Sequence, residues 1–111
     1  MDFKVLYTEG ALADLADIFA RSWEEHPGTT ERFASSLLNH VDLLKSFPRM
    51  GAPVSKYPGV RCLTHSPLQV FYRLDDAKRV VEILHFWHGA RKKPQFKNGP
   101  PKSEDLKKFD D

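Results

Sequence analysis

Between Val60 and Phe86 the chain holds three runs of strand-forming residues, "VRCLTH" (Val60–His65), "QVFYRL" (Gln69–Leu74) and "RVVEILHF" (Arg79–Phe86). The connections between them are "SPL" and "DDAK". A parallel crossover needs a dozen or more residues, so links this short force antiparallel neighbours. Asp75 and Asp76 suit a tight turn, because their short carboxylates bond to nearby backbone N–H groups. This meander is the strongest constraint on the fold. The last run is apolar on both parities, with Val81 and Ile83 on one and Val80, Leu84 and Phe86 on the other. Such a strand is expected either to be central in the sheet or to be covered on its second face by something else.

The residues before the meander must supply its cover. "FKVLY" (residues 3–7) reads as a first strand. Thr8 fits a helix N-cap, and Glu9 stands in the first turn, where the helix dipole favours an acid. Leu12, Leu15, Phe19 and Trp23, joined by Ile18, recur at helical spacing and predict an amphipathic helix. "HPG" (residues 26–28) is expected to end it. A second helix is expected from Thr29 or Thr30, carried by Phe33, Leu37, Val41 and Leu44 with Ala34, Leu38 and Phe47, and closed by Pro48. So few linking residues predict an antiparallel helical hairpin. "PRMGAPVSKYPG" (residues 48–59) reads as a loop. The expected fold is α+β, of order β-α-α-β-β-β, with the hairpin on one face of an antiparallel sheet.

Residues 1–91 are read as one domain and residues 92–111 as a polar, Pro-rich tail, irregular apart from one helical turn near residues 103–109. No apolar run approaches the roughly 20 residues that span a membrane, and no signal peptide is read at the N-terminus. The one cysteine, Cys62, cannot form an internal disulfide, which favours a reducing compartment, the cytoplasm. A net charge of +2 is too mild to specify nucleic acid, and direct DNA binding is not expected.

Several residues invite a chemical reading. His85 and His88 with Cys62 or His65 suggest a metal site, but His-x-x-His stands without a second paired cluster. On a strand, positions 85 and 88 also face opposite ways. No metal and no cofactor is therefore expected. Cutting RNA without a metal needs a base, an acid and cations at the phosphate. His65, His85 and His88 offer the first two, and Arg61, Arg73 and Arg91 the third. Convergence of His88, Arg91, Arg61 and Tyr72 at one end of the sheet would make a ribonuclease site. Otherwise the arginines form a solvated rim and Tyr72 packs.

The stretches "ALADLADIFARSWEEHPGTTERF", "LLKSFPRMGAPV", "PGVRCL" and "QVFYRLDDAKRVVEILHFWHGAR" occur in an order that resembles the ParE branch of the RelE/ParE toxins, the plasmid-stabilisation proteins of bacterial toxin–antitoxin systems. The resemblance covers residues 3–91. It implies the same β-α-α-β-β-β fold and a small cytoplasmic toxin, neutralised by a cognate antitoxin whose extended, partly helical segment wraps it. RelE-type toxins cut mRNA on the ribosome, and ParE-type toxins inhibit DNA gyrase. Where RelE-type sequences carry an arginine in the middle strand, this chain has Gln69. Where they carry paired lysines, it has Val60 and Cys62 flanking Arg61. Near their C-terminal tyrosine it has Phe96. The resemblance therefore implies a gyrase-directed toxin that binds its target, with mRNA cleavage as the alternative. It makes Arg61, Arg73, His85, His88 and Arg91 candidates for a target- or antitoxin-binding surface.

Overall fold

The computed structural model describes residues 2–89. The expected tail, and Arg91 with it, lie outside the described residues. The elements run β1 (Lys4–Tyr7), α1 (Glu9–Glu25), α2 (Pro27–Asp42), a 3-10 turn (Leu43–Lys45), β2 (Ala52–Pro53), β3 (Val60–His65), β4 (Leu68–Asp75) and β5 (Val80–His88). They build one sheet of order β1-β5-β4-β3-β2, with the helical hairpin over one face. The meander is antiparallel as expected. β5 lies inside the sheet, as its apolar parity allows.

Two features depart from the simplest form of that scheme. β1 pairs with β5 in parallel, Lys4 opposite Val80 and Tyr7 opposite Ile83, so the sheet is mixed. The long helical excursion between these strands is what allows a parallel neighbour. The second departure concerns the helical junction. Pro27 does not stand between the helices but begins α2, with His26 alone linking the two. A proline at the first helical position loses nothing, because its missing N–H would have had no partner in the ladder.

Apolar side chains from both layers meet between hairpin and sheet. Leu37, Val41 and Leu44 are fully buried against Val70, Ile83 and Phe86. Each such side chain stabilises the fold by about 1.5–3 kcal/mol relative to exposure. On α1 the inward residues are Ala11, Leu15, Ile18 and Phe19. Leu12 and Trp23, expected on the core stripe, instead stand about half exposed, at 53% and 52%. Leu38 and Phe47 are likewise exposed. On the other face of the sheet Val60, Phe71 and Leu84 are buried beside Val54, Tyr57, Cys62 and Trp87.

A local irregularity in β5 decides which of its side chains face the helices. Tyr72 stands opposite Ile83 and Phe71 opposite His85, so Leu84 is an extra residue with no counterpart. This bulge resets the alternation. Phe86, read on the parity of Leu84, joins Val81 and Ile83 in the helix-side core, while Leu84 packs on the other face. Thr8 fixes the same point. Its hydroxyl oxygen caps α1 by accepting from Ala11 N–H (3.2 Å) and donates to the carbonyls of Ile83 (2.8 Å) and Leu84 (3.2 Å). One side chain thus satisfies a helix start and a bulge.

Candidate functional site

Of the residues singled out in the sequence, Arg61 and Tyr72 lie together. They are register partners on β3 and β4. Tyr72 is completely buried; its hydroxyl donates to the Pro48 carbonyl (2.8 Å) and accepts from the Gly51 N–H (2.9 Å). Arg61 donates from one guanidinium nitrogen to the carbonyls of Gly51 (2.7 Å) and Arg49 (3.2 Å). Both side chains therefore hold the 48–51 segment against the sheet. Burial pushes the Tyr72 hydroxyl up from its ordinary pKa, against the opposing pull of the Gly51 N–H and the Arg61 charge. A phenol so placed is a poor proton donor near neutrality. Gly51 is required there: a Cβ would stand 2.7 Å from the Tyr72 ring and 2.8 Å from the Cys62 carbonyl.

Arg73 and His85 are engaged in pairs. Arg73 bonds Glu82 across the strands (3.0 Å), and Glu82 is buried at 7% exposure. His85 Nδ1 donates to Asp14 Oδ2 on α1 (2.7 Å), and the same oxygen accepts the Phe86 backbone N–H (3.0 Å). β1 ends opposite Ile83, so the edge of β5 beyond it is open to α1. Asp14 takes the place of a strand partner there.

His88 closes β5 opposite Leu68, whereas Tyr72 stands opposite Ile83. His88 therefore stands four positions of β4 from the Arg61–Tyr72 pair, about 13 Å at the spacing of strand residues. The convergence of His88, Arg61 and Tyr72 that a ribonuclease site required does not occur. His88 instead lines an open groove of about 410 Å3, between the hairpin tip (Ser22, His26, Thr30, Phe33) and the turn at Pro67.

No spacing along the chain connects His40 with His65, yet α2 and β3 bring them together. Their Nδ1 atoms are 2.8 Å apart. Ser36 Oγ lies 3.4 Å from His65 Nε2, and the Phe33 ring meets His65 edge-on at 5.4 Å. Burial, then the neighbouring His40, lower the His65 pKa from its ordinary value, so this imidazole stays neutral further into acid. A repeat-based search cannot find such a pair, because helix and strand periods describe faces and not which faces meet. Cys62 is half-buried, and burial raises its thiol pKa, which lowers its thiolate fraction near neutrality. Among the described residues no three of His, Cys, Asp and Glu form a metal-holding group, and no helix is long and apolar enough to cross a membrane.

Two helices packed on a five-stranded mixed sheet match the fold of the RelE/ParE toxins. The chain is similar to the chromosomal ParDE toxin–antitoxin system from P. aeruginosa, with TM-score 0.66 and 24% identity over 78% of this chain and 95% of that one. It is also similar to the RelBE2 toxin–antitoxin complex from Mycobacterium tuberculosis, with TM-score 0.57 and 23% identity over 79% and 99% of the two chains. A free mutant form of the E. coli toxin RelE matches with TM-score 0.53 and 18% identity over 98% and 99%. At these identities the likeness establishes the fold. A search of curated protein sequences finds no significant match. The sequence model described as the ParE toxin of the type II toxin–antitoxin system parDE matches residues 5–93. The chain belongs to this ParE toxin family.

Proposed function

We propose that this toxin acts in the cytoplasm by binding its target rather than by cutting RNA, that the target is DNA gyrase, and that a cognate antitoxin neutralises it. The observation that carries the reading is the engagement of the groups a nuclease would need. Tyr72 and Arg61 hold the 48–51 segment, Arg73 meets Glu82, and His85 meets Asp14. His88 stands four positions of β4 from the Arg61–Tyr72 pair. Metal-free cleavage needs base, acid and cation within reach of one phosphate. Among the described residues that triplet is not assembled from these side chains.

Binding, by contrast, has surface to use. Leu12 and Trp23 on α1, with Leu38, Leu43 and Phe47 at the end of α2 and beyond, place large apolar side chains in solvent. An antitoxin segment that folds on binding would cover such side chains. Arg61, Arg73, His85, His88 and Arg91 are the polar candidates for contact with target or antitoxin.

The test is pulse-labelling after induction of the chain without its antitoxin, with thymidine and amino-acid incorporation followed together and plasmid supercoiling read on gels. DNA synthesis failing first, with altered supercoiling and filamentous cells, is the expected result. An early fall in protein synthesis with DNA synthesis intact would overturn the reading and return mRNA cleavage.

A further inference from the structure

We infer that His40 and His65 form a two-imidazole site for a divalent metal ion with right-angled coordination, Cu(II) or Ni(II). The inference is independent of the toxin's target. It rests first on distance. With metal–nitrogen bonds of about 2.0 Å, two ligands at right angles sit about 2.8 Å apart, and two tetrahedral ligands about 3.3 Å apart. The Nδ1 atoms of His40 and His65 are 2.8 Å apart. The spacing, which a hydrogen bond between the rings sets, matches square-planar or octahedral neighbours and would have to open by about 0.5 Å for tetrahedral zinc. Each ring needs only to turn its lone pair toward a common apex about 1.4 Å from the line joining the nitrogens.

The surroundings prepare the rings for this. His40 lies in the last turn of α2 and His65 ends β3, so regular backbone holds both. Phe33 packs edge-on against the His65 ring. Ser36 Oγ stands at His65 Nε2, where it can accept that nitrogen's hydrogen and leave Nδ1 unprotonated. A hydrogen-bonded distal nitrogen is the usual support of a ligating imidazole. Both side chains are only partly buried, so water can enter and complete the coordination shell. Without metal, one Nδ1–H donates to the other Nδ1. On metal binding that hydrogen moves to the same ring's Nε2 through solvent, and no net proton is released from the neutral pair.

A Ser36–His65–His40 relay for nucleophilic catalysis is the competing chemical reading. It fails because Ser36 sits within α2, where neighbouring backbone N–H groups are used by the helix and none is available to hold an oxyanion.

The consequence of binding is a clip between α2 and β3 that exists only in the folded chain, so the metal stabilises by mass action. The test uses the full chain with Ni(II) alone, which avoids copper oxidation of Cys62. Adding 1 mM Ni(II) is expected to raise Tm by about 5 °C. His65→Phe, which keeps a ring against Phe33, and His40→Phe should each abolish the rise, and His26→Ala should keep it. No rise in the wild type, or a rise that survives both ring substitutions, would overturn the site. A larger rise with Zn(II) than with Ni(II) would overturn the right-angled assignment. Should either ring variant fail to fold, paramagnetic line broadening in the unaltered chain decides. Loss of the Ser36, His40 and His65 signals first supports the site, and broadening centred on His26 or His85 refutes it.

Discussion

The two ends of β3 carry polar side chains of opposite character. At one end the hydroxyl of Tyr72, beside Arg61 on the neighbouring strand, is fully committed with one donor and one acceptor partner, and one guanidinium nitrogen of Arg61 sits on two carbonyls. About 13 Å along the strand, at the spacing of successive strand residues, His65 and His40 share a single hydrogen between two half-exposed rings. The first end resembles a catalytic constellation in composition only. Residue type does not separate a structural cluster from a chemical one, whereas the number of lone pairs and hydrogens left over does.

The contrast can be broken most forcefully at Gly51. Gly51→Ala drives a methyl into Tyr72 and the Cys62 carbonyl, and should cost about 3 kcal/mol of stability in urea unfolding. Tyr72→Phe leaves the Pro48 carbonyl and Gly51 N–H without their partner. Its expected cost is about 2 kcal/mol, with growth inhibition on induction unchanged where the folded fraction is matched. Loss of toxicity in a folded Tyr72→Phe protein would make the hydroxyl chemical after all. At the other end His65→Gln should change stability at pH 7.5 by under about 0.5 kcal/mol, since a half-exposed pair contributes little.

The smallest effect is the one that sharpens the comparison, and it is read with pH. The folded chain holds His65 below its ordinary pKa, so the unfolded chain binds the proton more readily. Stability should therefore fall as pH drops below about 6.5, and His65→Gln should flatten that slope. Tyr72 behaves in the opposite sense. Its raised pKa means the unfolded chain gives up the phenolic proton first, so stability should fall above about pH 10. Tyr72→Phe should reduce that alkaline loss.

Much of the architecture was legible because it depends on local periods and short links. Thr8 is the cap that its position before the apolar run implied, and Asp75 accepts from Lys78 N–H in the expected turn (3.0 Å). The meander followed from connection length. What could not be read depends on partners distant in sequence. A strand as short as β1 does not specify its neighbour, and the parallel pairing with β5 joins residues whose patterns say nothing of one another. The bulge at Leu84 placed Phe86 on the face that simple alternation denies it. Leu12 and Trp23 kept helical spacing with the core residues yet flank the buried stripe, because an apolar period does not fix how wide a stripe the sheet covers. For the candidate site, the sequence puts Arg61 and Tyr72 on successive strand runs, but it says nothing of their register, and buried carbonyl partners in the 48–51 segment carry no signature. His40 and His65 escaped for the same reason as β1.

The pairing of β1 with β5 also sets a clock. The first strand finds its neighbour only when residues 80–83 have been made. At a synthesis rate of roughly 5–20 residues per second, an emerging chain would wait several seconds with its opening strand unpaired. Contacts so far apart in sequence form late, after the cost of closing a long loop. The scaffold is thus completed only after residues 80–83 have been made. For a chain of a toxin family, the topology is itself a delay.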